Sequence, residues 1–132
     1  MIGVALLDTT VLIDILRGRP ETRARLFGLR AAGDVPYISA IGVDEVVRGL
    51  RASEVPAARR LFAGLRMVPL GESEGWQAGT WRREYAAKGV TLAQADCLVA
   101  AAALSAGGLL CTGNPKDFPM REIAVDHWPV GR

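Results

Sequence analysis

The sequence predicts an α/β fold, a sandwich in which helices cover both faces of a central, mostly parallel sheet. Three observations predict it. Short apolar runs that read as strands buried on both faces alternate with helical patterns. The runs are separated by helices, as crossover connections between parallel strands require. The length of 132 residues, with 50% hydrophobic and 23% charged, suits one core rather than two. One domain over residues 1–132 is expected, since no repeat, linker or low-complexity tract divides it.

The elements follow in order. Val4–Leu7 is an apolar strand, and Thr9 and Thr10 offer caps for a helix over Val11–Leu16, which Gly18 and Pro20 end. Glu21–Ala32 carries a second helical pattern, stopped by Gly33-Asp34 before a short strand at Tyr37-Ile38. Ser39 caps a helix from Ile41 to Arg51, another helix runs from Pro56 to Leu65, and Met67–Leu70 resumes a strand. Glu72–Lys88 is a polar-faced helix bearing Trp76, Trp81 and Tyr85. Thr91 is expected to cap an almost wholly apolar helix that Gly107-Gly108 closes. Leu109–Thr112 is the next strand, Asn114–Phe118 a turn or short helix, and Ile123–Val125 a last edge strand before Pro129.

Composition narrows the function. A net charge of +2 permits contact with nucleic acid without arguing for it. All of the 16 basic residues except Lys88 and Lys116 are Arg, which suits phosphate and equally suits solvated helix faces. Cys97 and Cys111 show no Cys-x-x-Cys spacing, so neither a zinc site nor a disulfide framework is indicated, and a reducing cytoplasm is expected. The apolar stretch Ile2–Leu7 is short, lacks a basic flank and ends in Asp8, so no signal peptide is expected. Leu92–Cys111 carries Asp96 and a Gly-Gly break, which argues against a membrane span.

Acidic residues are the candidates for chemistry, each with a plainer alternative, which for Asp44 and Glu45 is a solvated helix face. Asp8 stands where the first strand hands over to a helix, at the strand-end crevice where parallel sheets bind ligands; helix capping is the plainer alternative. Asp96 lies in a helix apolar nearly all round, so it should be buried and must find a cation or several donors. No Arg or Lys lies within one turn of it. Asp44 and Glu45 both sit off the apolar stripe of their helix, and periodicity does not choose between them. Asn114 and Asp117 follow the strand Leu109–Thr112 and so reach the same sheet edge as Asp8, although Asn-Pro and Asp are also ordinary turn formers. Oxygen ligands without His or Cys suit magnesium or manganese rather than zinc. His127, alone beside Trp128, is read as a surface residue.

The runs Leu6–Gly18, Ser39-Ala40-Ile41 leading to Glu45 and Gly49, Ala95-Asp96, and Thr112–Phe118 together resemble the PIN-domain ribonucleases, and more narrowly the VapC-type toxins of toxin–antitoxin pairs. The resemblance spans essentially the whole chain in order, and four motifs in order are far more specific than one. It implies a PIN-like α/β/α sandwich. Asp8, Glu45 and Asp96 match the three principal acidic residues, which selects Glu45 over Asp44. Asp117 or Asn114 matches the region of the fourth, and Thr9, Thr10 and Thr112 match polar positions lining the site.

The resemblance further implies an endoribonuclease dependent on Mg2+ or Mn2+, acting on single-stranded or looped RNA through a carboxylate-held cation without a nucleophilic side chain. A VapB-type antitoxin that lays a tail over the crevice and a homodimer are implied as partners. Trp76, Trp81 and Tyr85 are candidates for an interface, with core packing expected for at least one tryptophan. The alternatives are a non-catalytic PIN module that binds RNA or a protein, and a housekeeping RNA-processing nuclease. A haloacid-type phosphatase is disfavoured because Thr10 stands where its second Asp would be.

Overall fold

A computed structural model describes residues 3–131. The strands are β1 (Val4–Leu7), β2 (Val35–Ser39), β3 (Arg66–Val68), β4 (Leu109–Thr112) and β5 (Ala124–His127). They form one sheet in the order β3-β2-β1-β4-β5, and every pairing among the described residues is parallel. The helices are α1 (Thr9–Leu16), α2 (Pro20–Ala31), α3 (Ala40–Arg48), α4 (Val55–Ala63), α5 (Glu72–Ala87) and α6 (Gln94–Ser105). No described helix is long and apolar enough to cross a membrane.

The alternation of side chains along β1 builds two cores at once. Leu6 joins Leu110, Trp81 and the alanine-rich face of α6 on one side of the sheet. Ala5 and Leu7 join Cys111, Ile38 and the apolar stripes of α1 and α2 on the other. This two-sided burial is why β1 and β4 read as unbroken apolar runs. Trp81 is buried with its indole N–H donated to Glu122 Oε2 at 3.1 Å. Trp128 is also buried, whereas Trp76 is 67% exposed. Cys97 and Cys111 are free buried thiols, and burial pushes Cys111 up to about 12.

Several boundaries differ from the sequence expectation for identifiable reasons. Helix α1 begins at Thr9 rather than Val11, because the Thr9 and Thr10 hydroxyls bond carboxylates instead of capping. Pro20 does not end a helix but opens α2 at its first position, where the missing N–H costs nothing. Strand β2 extends to Val35–Ser39 through Pro36, although it is an inner strand. The Val35 amide faces β1 and donates to Gly3 O at 2.8 Å, so position 36 faces β3, whose pairing starts only at Tyr37.

Helix α3 stops at Arg48, short of Arg51, with Gly49 closing it, and Arg51 instead introduces a short 3-10 turn at Ala52–Glu54. Ser39 caps α3 as expected, accepting from the Gly42 amide at 3.3 Å. Helix α6 starts at Gln94 and not behind Thr91; residues 91–93 stay non-helical, and Leu92 packs against the core from there. Thr91 therefore caps nothing, and Asp96 falls in the first turn of α6, where the positive helix end favours a carboxylate.

Candidate active site

Because β1 pairs with β2 on one side and with β4 on the other, the chain reverses its winding between β1 and β4. In such sheets the crevice beyond the strand ends at this switch is where helices part and ligands fit. Asp8 follows β1 there, and its amide continues the ladder by donating to Cys111 O at 2.9 Å. Its side chain is buried at 6% exposure.

One Asp8 oxygen, Oδ2, accepts two hydroxyl protons, from Thr112 at 2.8 Å and Thr10 at 3.0 Å. Each hydroxyl is itself filled from behind: Thr10 Oγ1 accepts the Gly113 amide at 2.9 Å and Thr112 Oγ1 accepts the Asn114 amide at 3.0 Å. A hydroxyl has one proton to donate, and these backbone donors direct both protons toward Asp8. Oδ2 is thereby fixed and Oδ1 is left without a side-chain donor. Asp8 is the N-cap residue of α1 but makes no side-chain cap bond, so capping does not account for its carboxylate.

Glu45 is brought alongside by the packing of α3 on α1. Gly42 is buried where an added Cβ would lie 3.2 Å from Leu12 Cδ1 and 3.3 Å from Ile38 Cγ1, so the close approach depends on its missing side chain. Thr9 Oγ1 then donates to Glu45 Oε1 at 2.6 Å, while Asp44 points outward and is exposed. The choice that helical periodicity left open is made by this tertiary bond.

Asp96 is half-buried rather than buried, at the head of α6, and Asp117 is exposed on the 3-10 turn Pro115–Asp117 that follows β4. Burial and the charges of Asp117, Asp8 and Glu45, in that order, push the Asp96 carboxyl up to about 6. Asp8 is also raised, chiefly by burial, against the hydrogen bonds of Thr112, Thr10 and the Thr9 backbone and with a further push from Glu45. Asn114 is exposed, and its side chain makes no cap bond.

Asp96 does not find its cation in an ion pair: among the described residues no Arg or Lys pairs with Asp8, Glu45, Asp96 or Asp117. Nor do any three described His, Cys, Asp or Glu side chains stand close enough to form a ready-made ion cage. The four carboxylates are neighbours by charge, not by contact. Their donor set, carboxylate and hydroxyl oxygen alone, fits a hard divalent cation such as magnesium or manganese.

Two contributors to this edge lay outside the sequence reading. The Gly113 and Asn114 amides that orient the hydroxyls carry no side-chain signal at all. Arg82 is the second: after burial, which raises the Cys97 thiol, the strongest influence on it is the opposing charge of Arg82, which puts a cation near the head of α6. His127 is exposed, as expected of a surface residue.

A family model of the PIN domain matches residues 5–124. The chain belongs to the PIN-domain family. This PIN domain is 34% identical over 117 residues to Ribonuclease VapC10 of Mycobacterium tuberculosis, covering 89% of this chain and 87% of the relative. It is 30% identical over 115 residues to Ribonuclease VapC19 of the same organism, covering 87% and 92%. Its fold matches the DNA-bound VapBC structure from Salmonella typhimurium with a TM-score of 0.81 at 23% identity, over 97% of this chain and 99% of that one.

Proposed function

We propose that residues 1–132 form one PIN domain that is a metal-dependent endoribonuclease, the toxin of a VapBC-type pair acting in the cytoplasm. Kinship with two proteins named as VapC ribonucleases supports the activity, and the VapBC title of the matching structure supports a VapB-type antitoxin as partner. The observation that carries the mechanism is the set Asp8, Glu45, Asp96 and Asp117, which comes from four segments, has no Arg or Lys paired to it among the described residues, and raises the proton affinity of Asp96.

Four acids at one edge repel a phosphodiester, so the edge can bind RNA only with its charge offset. In this reading Asp8, Glu45, Asp96 and Asp117 hold Mg2+ or Mn2+, with Asn114 as a neutral alternative in the region of Asp117. When bound, the ion neutralises charge on the phosphodiester and acidifies an attacking water. Thr10 and Thr112 hold Asp8 through one oxygen and leave the other without a side-chain donor, free to serve as a ligand in this reading, and Thr9 steadies Glu45. Arg82, exposed near the head of α6, is placed to hold a phosphate of single-stranded or looped RNA.

The test is incubation of the antitoxin-free protein with a mixed set of structured RNAs, with Mg2+ or Mn2+ and with chelator, beside Asp96→Asn. Cleavage that needs both the ion and Asp96 supports the proposal. Retention of RNA by folded, ion-supplied protein without any shortening of the chain would replace it with the binding-module reading.

A further inference from the structure

Residues 128–131, which follow β5, belong to no strand or helix and are nevertheless pinned from several sides. The Trp128 amide extends the sheet ladder by donating to Thr112 O at 2.8 Å. Its ring is buried, with the Arg25 guanidinium over it at 5.6 Å from the centroid, and Arg25 Nη1 donates to His127 O at 3.0 Å. The Gly131 amide donates to Asp14 Oδ1 at 3.3 Å. Asp14 is a buried carboxylate of α1 that the nuclease reading does not use, and its other oxygen accepts the Thr22 hydroxyl of α2 at 2.9 Å. A buried acid is retained only where donors satisfy it, and here one of those donors is the backbone of residue 131.

Between these anchors Val130 meets Gly113. Gly113 has no positive φ, so its backbone does not call for glycine. Space does: a Cβ at position 113 would run into the Val130 side chain. Val130 is half-buried and packs against the core that holds Leu7, Cys111 and Trp128. The Gly113 amide donates to Thr10 Oγ1 at 2.9 Å, and Thr10 Oγ1 donates to Asp8 Oδ2 at 3.0 Å. The next amide, that of Asn114, donates to Thr112 Oγ1 at 3.0 Å, the other hydroxyl on Asp8. Hydrogen bonds of this length do not survive a shift of about an ångström in the donor. Both protons on Asp8 therefore depend on where residue 113 sits, and Val130 is the side chain seated against it.

We propose that Val130 is a positioning residue: pressed on Gly113 and anchored by the Gly131–Asp14 bond, it fixes the amide that orients the Thr10 hydroxyl and, through it, the Asp8 carboxylate. The effect on cation binding rests on the nuclease reading, whereas the effect on the Gly113 amide does not.

Amide hydrogen exchange of the full chain in chelator, followed by NMR, reads the Gly113–Thr10 bond directly. Val130→Ala is expected to speed exchange at Gly113 at least about tenfold while the amides of β1, which report the core, stay within about twofold of the parent. Gly113→Ala is expected to disturb the Asn114 amide about tenfold in the parent but less than about threefold when added to Val130→Gly, because the new methyl then meets no side chain at position 130. Titration of Mn2+ is expected to show about fivefold weaker binding to Val130→Ala, and RNA cleavage a lower kcat at unchanged KM. Exchange at Gly113 indifferent to Val130→Ala, or a Gly113→Ala effect equal in both backgrounds, would overturn the proposal. So would faster exchange at Gly113 with unaltered Mn2+ affinity in a parent that binds the ion, since the contact would then stop short of Asp8. A parent that neither binds Mn2+ nor cleaves RNA would refute the nuclease reading instead, and the exchange at Gly113 would still decide the role of Val130.

Discussion

The charge crowding at Asp96 makes a prediction that opposes the usual effect of a mutation. Its carboxyl is lifted from 3.8 to about 6 by burial and by Asp117, Asp8 and Glu45. An acid whose folded pKa exceeds its unfolded value binds more protons when folded, so stability is highest at low pH, falls as pH rises from about 4 to 6, and is level above that. About two pH units at about 1.4 kcal/mol each give about 3 kcal/mol as a ceiling. The group is only half-buried, and solvent screening brings the expected cost to about 1 kcal/mol. Asp96→Asn keeps the shape and removes the charge. It is therefore expected to stabilise the cation-free protein at pH 7.5 by about 1 kcal/mol, or about 4 °C in thermal midpoint, while abolishing RNA cleavage. Urea unfolding of both proteins between pH 4 and 8, in chelator, measures the difference directly. A variant no more stable than the parent at pH 7.5, or a gain that does not shrink toward pH 4, refutes the charge-crowding account.

Cation binding is expected to weaken as pH falls below about 6, by about tenfold per unit where one proton competes at Asp96, which calorimetric titration of Mn2+ would follow. Thr112→Val removes a fully buried hydroxyl, strips Asp8 of a charge-assisted bond and orphans the Asn114 amide. A loss of about 2–3 kcal/mol is expected in urea unfolding, together with weaker Mn2+ binding. Gly42→Val overpacks the contact of α3 with Leu12 and Ile38 and is expected to cost about 2 kcal/mol and to lower cleavage by displacing Glu45, whereas Gly49→Ala, whose added Cβ would meet only the Val46 carbonyl oxygen at 3.8 Å, leaves cleavage unchanged.

Much of this arrangement was legible in residue order because β1 and β4 are buried on both faces and so announce themselves as apolar runs, with Asp8 and Thr112 at their ends. What was illegible depended on contacts between distant segments. Thr9 and Thr10 have the chemistry of helix caps, and only the arrival of Glu45 and the placement of Asp8 turn their hydroxyls elsewhere. The same arrival separates Glu45 from Asp44, which the helix period treats alike. The start of α6 escaped because Thr91 is a good cap by type, while the chain stays non-helical for two more residues, with Leu92 packed against the core. Burial of Asp96 was overstated because an all-apolar helix pattern says nothing about which turn protrudes beyond the sheet.

The hydroxyl of Thr112 reaches an aspartate 104 residues earlier in the chain. The central strand gains its second neighbour only when β4 docks, so half of the hydrogen bonds that hold Asp8 Oδ2 are contributed by sequence made long after Asp8 itself. During synthesis, an N-terminal portion lacking β4 can fold helices and pair β1 with β2, yet its first acid is left without Thr112 and its last acid does not exist. The four acids and both hydroxyls that hold Asp8 Oδ2 therefore come together only after the segment through Asp117 has been made.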